Sequence, residues 1–435
     1  MKRSYPWVFL CLAVGLFCGV SPAAETAVKP AAAVTVTADR ANAIYGRGES
    51  VTYWVTVSAA GRPAEGEVEW VLTKDGAQTL GTGRARLQAG KASVTGRLDE
   101  PGFMQCRATF TSGKDKVTAL GGAGIEPERI KPSAPPPKDF DAFWAEKKKQ
   151  LAAVPMNPRL TPVKSPREGI EAFDLQADCV GAPVSGYYAR PTGAKPKSLP
   201  AILTVHGAGV RSSSLSGAAG WAKDGTIALD INAHGLPNGK PDAFYNELAA
   251  GKLKDYRVAG RESRDTIYFL GMMLRLVRAL DFLAAQPEWD GKTLVVSGSS
   301  QGGFQAIAAA GLDRRVTFFA AGVPAGCDHT GFLAGRISGW PKFVPTAEKT
   351  PPAAVVEAVK YFDCVNFATR AKAPGIFTVG FIDTTCPPSS VYAAYNALPS
   401  QKEIFHDVAA GHTNTPAARE AMRAAVLKHF AAKAR

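Results

Sequence analysis

Apolar and polar positions alternate with two different periods along this chain, and the change from one to the other divides it. From Ala33 to about Ile125 the period is two: Val51, Tyr53, Val55 and Val57 fall on one side of an extended segment, and Val68, Trp70 and Leu72 on one side of another, with an Asp75-Gly76 pair after it. Strand side chains point to opposite faces in turn, so the pattern predicts short, half-buried antiparallel strands, with a turn at Asp75-Gly76. Several such strands at regular spacing predict a small β-sandwich of the immunoglobulin kind over residues 31–125. Within it, Cys106 falls on the apolar side of Met104, Cys106, Ala108 and Phe110, the place of a buried thiol.

Residues 126–138 then carry five prolines, at 127, 132, 135, 136 and 137. Proline fixes φ and lacks an N–H, so the segment builds neither a helix nor a central strand and reads as a stiff connector. After Asp139 the texture changes. Gly169 to Asp178 and Val184 to Arg190 read as a hairpin. Ala201–Val205, Thr226–Asp230, Thr293–Val296, Val316–Ala320, Gly375–Val379 and Glu403–Val408 follow as mostly continuous apolar runs, the mark of strands buried on both faces. Between them Ile267, Leu270, Leu274, Val277, Leu280 and Ala284 recur at helical spacing, with Arg275 and Arg278 expected on the solvent side. Alternating strands and helices predict an α/β fold, a mostly parallel sheet covered by helices. A hairpin leading into such a sheet is the order of an α/β hydrolase, over residues 139–435.

Val295-Val-Ser-Gly-Ser-Ser-Gln-Gly-Gly303 ends one of these strands and opens an alanine-rich helix. A sharp strand-to-helix turn crowds the backbone two residues before and after its central serine, so both positions must be small. Ser300 has Gly298 and Gly302; Ser299 has Ser297 and Gln301; Ser297 has Val295 and Ser299. Only Ser300 fits a nucleophile elbow. A serine hydroxyl needs a base, and the base an orienting acid. His412 stands in a glycine-containing loop just past the last strand, whereas His406 lies inside that strand and His429 in the terminal helix. The acid is expected at the end of the preceding strand, where Asp383 stands; Asp363, Glu403 and Asp407 read as surface groups. The backbone N–H groups of Gln301, after the nucleophile, and of Ala208, in the loop His206-Gly-Ala-Gly-Val-Arg211, are the expected oxyanion donors.

Composition narrows the setting. Residues 1–24 have a basic start, an apolar run from Trp7 to Val20 and a small-residue end, which predicts a cleaved secretory signal and a secreted or periplasmic protein with no membrane span after cleavage. The net charge of +13 falls by two with Lys2 and Arg3, to +11, and is dispersed; Lys147–Lys149 is its only run, so a nucleic-acid partner is not expected. Seven cysteines fall to five, an odd number that gives no disulfide framework and leaves one pair open. No H-E-x-x-H motif or paired-cysteine zinc spacing occurs, so neither a metal nor another cofactor is expected. The sandwich, with no evident reactive group, is expected to position the enzyme or block oligomer contacts without taking part in the reaction. On the residues alone, an esterase, a serine peptidase of the same fold and a non-catalytic carbohydrate-binding protein all stay open.

Linked motifs run through the second region: Asp139-Phe-Asp-Ala-Phe-Trp144, Ser300-Gln-Gly-Gly303, Leu312-Asp-Arg-Arg-Val316, Val323-Pro-Ala-Gly-Cys-Asp328, Tyr361-Phe-Asp-Cys-Val-Asn-Phe367, Asp383-Thr-Thr-Cys-Pro-Pro388, Ala393-Ala-Tyr-Asn396 and Ala410-Gly-His412. Together they resemble the acetyl xylan esterase and cephalosporin C deacetylase family. The resemblance implies a serine esterase that removes O-acetyl groups from carbohydrates such as acetylated xylan or xylooligosaccharides, with Ser300, Asp383 and His412 as triad and Ala208 and Gln301 at the oxyanion positions. The chain departs from the family pattern in having Ala208 where a tyrosine is usual and Asn232-Ala-His-Gly235 where Arg-Gly-Gln is usual, which leaves His234 either lining the site or, as the favoured reading, in a structural role. Family members assemble into rings; here an oligomer is left open.

Overall fold

The computed structural model describes residues 32–346 and 350–433, so the expected signal segment lies outside the described residues. The first region is two face-to-face sheets. One holds β1 (Ala32–Ala38), β3 (Val51–Ala59), β4 (Arg62–Pro63) and β7 (Lys91–Gly96). The other has the order β2 (Ile44–Tyr45), β9 (Asp115–Ile125), β8 (Gly102–Ser112), β5 (Glu67–Lys74), β6 (Gln78–Arg86). The period-two sides meet between them: Val51, Tyr53, Val55 and Val57 are buried against Val68, Leu72, Met104 and Cys106. Tyr53, wholly buried, satisfies its hydroxyl by donating to Met104 O at 2.7 Å.

Asp75 and Gly76 both take positive φ (50° and 70°), the left-handed pair that a two-residue hairpin turn requires. One side of the turn abuts the second region. Asp75 is buried, and a Cβ on Gly76 would lie 2.9 Å from Ile337 Cδ1 of the second region.

That region is built on a nine-stranded sheet of order β10 (Arg159–Val163), β11 (Ile170–Ala177), β12 (Val184–Pro191), β14 (Ile227–Ile231), β13 (Leu199–Val205), β15 (Trp289–Ser299), β16 (Phe318–Gly322), β17 (Gly375–Gly380), β18 (Lys402–Asp407). The first three strands pair antiparallel and the rest run parallel, as the hairpin and the apolar runs predict. β10 was not expected, because all but its last residue are exposed and its sequence carries a proline. Helices α2 (Leu215–Lys223) and α9 (Pro416–Lys433) cover one face. On the other, α1 (Phe140–Ala152), α4 (Tyr268–Ala284), α5 (Gln301–Leu312), α7 (Cys364–Ala368) and α8 (Pro388–Ala397) build the main core, with α3 (Asp242–Ala250) and α6 (Ala353–Val359) at its edge.

One expectation is corrected. Arg275 and Arg278 of α4 do not face solvent; they are 3% and 6% exposed. Each guanidinium is spent on backbone carbonyls, Arg275 on Ala233 O and Arg278 on Leu151 O and Val154 O, so the helix is buried nearly all round. The connector is held to the second region along its length. Ser133 donates through its N–H (2.9 Å) and its hydroxyl (2.6 Å) to Asp328 Oδ1, Arg336 donates to Lys131 O, and Asn396 donates to Pro127 O and Ile130 O. No helix among the described residues is long and apolar enough to cross a membrane. The five described cysteines are all free and buried, and burial pushes the Cys106 thiol up to about 12.

Candidate active site

β15 stops at Ser299 and α5 starts at Gln301, which leaves Ser300 between them at φ 57°, ψ −121°, a conformation that costs a non-glycine residue on the order of 1–3 kcal/mol. Its surroundings impose it. Ser300 N donates to Gly322 O, and Ser300 O accepts from Phe304 N and Ala325 N. A Cβ on Gly298 would lie 2.6 Å from Gly302 C and O, and one on Gly302 would lie 2.3 Å from Val205 O. The small flanks that singled out Ser300 are therefore required by contact with backbone.

Ser300 Oγ lies 2.8 Å from His412 Nε2, and His412 Nδ1 lies 2.8 Å from Asp383 Oδ2. With Nδ1–H donating to the carboxylate, Nε2 is free to accept the serine proton. Asp383 is 1% exposed, and its other oxygen accepts the N–H groups of Thr385 and Cys386 at 2.8 and 2.9 Å. The three expected residues are thus brought into one hydrogen-bonded chain. Asp383, Cys386 and His412 also place donor atoms within 4.8 Å of one another, the only such metal-sized group among the described residues. It does not suit a metal: both carboxylate oxygens and both ring nitrogens are already engaged, and burial holds the Cys386 thiol well above its usual range.

The other expected positions fall where they can act. Gln301 is the first residue of α5, and the loop after β13 lays Gly207 over the elbow, with its Cβ position 3.3 Å from Ser299 O and 3.7 Å from Ser300 Cβ. Among the described residues no acceptor takes the N–H of Ala208 or of Gln301. Arg211 fixes the Ala208 carbonyl by donating to it. Tyr256 ties the two donors together: its hydroxyl accepts from Gly209 N and donates to Gln301 Oε1 at 2.8 Å. His234 stands behind this loop. It accepts from the Tyr268 hydroxyl and donates to Gly209 O, while His206 donates to Gly207 O and accepts from Ala233 N. Desolvation pushes His206 down to about 4 and His234 to about 3, so both are neutral supports for the loop.

Sequence reasoning missed several residues. Ser299, rejected as nucleophile, accepts from Asn414 Nδ2 at 2.6 Å, and Asn414 in turn accepts from the Thr378 hydroxyl at 2.5 Å, which links the His412 loop to the elbow. Trp340 forms a wall of the open cavity of about 530 Å³ that contains Ser300, Ala208, His412, Arg211 and Arg419. Neither Asn414, Trp340 nor Tyr256 sits in a pattern that marks it; each is brought in by tertiary structure. Asp363 needs correction. It is 5% exposed, caps α7, and accepts the N–H groups of Asp328, His329 and Val365, with burial raising its carboxyl to about 6. Glu403 is exposed and Asp407 accepts from Thr415, while His406 pairs with Tyr392 and His429 with Thr317.

A model of the acetyl xylan esterase (AXE1) family matches residues 126–429. The acetyl esterase Axe7A of Xylanibacter ruminicola is 31% identical over 374 residues, 84% of this chain and 83% of its own, a span that reaches into the β-sandwich. Among solved structures, the acetyl xylan esterase from Paenibacillus sp. R4 aligns with TM-score 0.60 at 28% identity, covering 70% of this chain and 98% of that one. Acetyl xylan esterase 1 from Thermoanaerobacterium sp. JW/SL YS485 shares the fold at TM-score 0.57 and 22% identity, again over 70% of this chain and 98% of its own.

Proposed function

Because this chain belongs to the acetyl xylan esterase family, we propose that it is a secreted serine esterase that removes O-acetyl groups from carbohydrates, acetylated xylan or xylooligosaccharides foremost. That it is a carboxylic ester hydrolase follows from the family itself, which removes the non-catalytic reading. In the proposed mechanism His412 Nε2 takes the Ser300 proton as Oγ attacks the acetyl carbonyl, and Asp383 holds the imidazole tautomer and stabilises the imidazolium. The oxyanion of the tetrahedral intermediate is received by the N–H groups of Ala208 and Gln301. His412 gives its proton to the sugar oxygen as its bond to the acyl carbon breaks, so that the sugar leaves as an alcohol and an acetyl ester remains on Ser300. A water, deprotonated by the same histidine, then attacks that ester, and acetate leaves as Ser300 recovers its proton.

The observation that carries this reading is the chain Ser300–His412–Asp383, two contacts of 2.8 Å set on a strained elbow at an open cavity. An open cavity suits a substrate most of which lies outside the acyl site. The test is acetate release from acetylated xylooligosaccharides beside hydrolysis of p-nitrophenyl acetate and of peptide substrates. Release from the sugars and none from peptides is expected. Peptide cleavage, or turnover of p-nitrophenyl acetate with no release from any acetylated sugar, would sink the deacetylase reading.

A further inference from the structure

Asp383 is held partly from outside its own fold. β17 ends at Gly380, and Phe381 and Ile382 lead directly to the acid. On one side this segment is packed against the loop that carries His412: Ile382 N donates to Ala410 O, and a Cβ on Gly380 would lie 2.4 Å from Ala410 O and 2.5 Å from Gly411 O. On the other side lies the β-sandwich. The buried Phe381 ring meets Phe103 of β8 edge to face, with centroids 5.1 Å apart, and its carbonyl oxygen accepts from Gln105 Nε2 at 3.1 Å. Gly122, directly opposite Gln105 on β9, faces the same carbonyl so closely that a Cβ there would lie 2.4 Å from Phe381 O. Its neighbour Gly121 faces the sandwich interior, where a Cβ would lie 2.7 Å from Val36 Cγ1. The segment has no slack on either side.

We propose that this face of the sandwich is a positioning element of the reaction: Phe103, Gln105 and Gly122 fix Phe381 and thereby set Asp383 against His412. The proposal rests on Asp383 being the acid of the triad. A shift of the order of 1 Å in a catalytic group can cost about 10²-fold in rate, and a methyl group placed 2.4 Å from a backbone oxygen cannot be accommodated without one.

The full-length chain carrying Gly122→Ala, Gln105→Ala or, as control, Gly121→Ala tests it, with p-nitrophenyl acetate as substrate. Gly122→Ala is expected to lower kcat by about tenfold to 100-fold with KM little changed. The acid limb of kcat/KM should also move to lower pH, because a displaced carboxylate stabilises the imidazolium less. That limb is read at His412, which faces Ser300 and Asp383, with the Cys386 thiol beside them and Arg211 and Arg419 on the cavity wall. Gln105→Ala should move both quantities the same way by less, and it decides the matter if Gly122→Ala does not fold. Gly121→Ala should lose thermal stability and keep both kcat and the limb. A folded Gly122→Ala or Gln105→Ala with native kcat and limb would overturn the proposal, as would an equal loss of kcat in Gly121→Ala. Asp383→Asn separates the two readings: if it retains activity the triad itself is wrong, and if it is inactive while the sandwich variants are native, only the positioning role fails.

Discussion

The elbow and the acid loop are two ends of one hydrogen-bonded chain, and they are secured in different ways. What holds the Ser300 backbone lies close around it: Gly298, Val205 and Gly322 stand on neighbouring strands of one sheet, Gly302 is in the helix that follows, and Ala325 comes just after β16. Asp383 takes two N–H groups from its own turn, but the strand end before it is clamped by residues almost 280 positions earlier, in a separate β-sandwich. A nucleophile elbow is a local motif, so glycines two residues away announce it. The acid loop is a tertiary product, and its support can be removed without touching the hydrolase region.

The largest expected effect tests the local end. Ser300→Ala should lower kcat by about 10⁵- to 10⁶-fold, the scale seen when a triad nucleophile is deleted. Ser299→Ala loses only the hydrogen bond from Asn414 and should stay within about tenfold of the native rate, since one neutral hydrogen bond is worth about 1 kcal/mol. Steady-state hydrolysis of p-nitrophenyl acetate measures both. Comparable losses would mean that the elbow is centred on the wrong serine.

The next prediction breaks the junction between the regions. Arg336, 7% exposed, pairs with Asp328 at 2.9 Å and donates to Lys131 O of the connector, and its charge also reaches Asp75 of the sandwich and Asp363 of α7. Burial raises all three carboxyls, Asp363 to about 6. A raised folded-state pKa gives stability that is complete below the unfolded value near 3.8 and lost as pH rises through about 6. Arg336→Leu leaves these groups without their cation and should cost about 3–5 kcal/mol, the usual penalty for breaking a buried pair. The loss should be greater at pH 8 than at pH 5, because in acid the orphaned carboxyls can protonate. Denaturant titrations at the two pH values check the sign, and a loss independent of pH would show that the carboxylates are not what Arg336 serves.

How much of this was legible follows from the same contrast. The period-two and continuous apolar runs located most strands because each records which faces are buried, and Gly298 and Gly302 located Ser300. The face of β8 that bears Phe103 and Gln105 was passed over. Met104, Cys106 and Ala108 mark the other face of β8, yet Phe103 is apolar on the side that an isolated sandwich would show to water, and Gly121, Gly122 and Gly124 follow on the partner strand. A strand buried on both faces at one end is a sign of a second neighbour. Arg275 and Arg278 misled for the converse reason: charge was read as exposure, whereas each arginine pays its desolvation cost by satisfying backbone carbonyls. Tyr256 and Asn414 gave no signal, since their roles depend on which loops meet.

The two ends meet at His412, and pH sharpens the comparison there. Burial pushes His206 and His329 down to about 4 and His234 to about 3, and it lowers His406 and His429, whereas His412 is the histidine in contact with Ser300 Oγ and has to accept its proton. kcat/KM should therefore fall in acid by about tenfold per pH unit, the slope of a single proton. Asp230, raised to about 6 by burial, is a competing group, bonded to residues on either side of the oxyanion loop: it accepts from Ser214 N and from the Thr204 hydroxyl. Asp230→Asn should keep the acid limb. Its disappearance in that variant would assign the limb to the carboxyl.

The smallest effect concerns selectivity at the local end. Ala208 lines the cavity beside Ser300, and its carbonyl is fixed by Arg211, so its backbone can serve the oxyanion while its methyl leaves room for the acyl group. Each methylene accommodated in an apolar pocket is worth about 1–3 kcal/mol of discrimination at most, and this cavity is open, so the lower end applies. Propionyl and butyryl esters should accordingly be turned over, more slowly than acetyl. Ala208→Tyr would restore an aromatic wall without removing the N–H, and should lower kcat/KM for p-nitrophenyl butyrate several-fold more than for the acetate. An unchanged ratio among acetate, propionate and butyrate would mean that the side chain at 208 points away from the acyl group. An equal, large loss on all three would mean that tyrosine displaces the backbone donor, and would place residue 208 with the elbow as part of the oxyanion machinery and not as a selectivity wall.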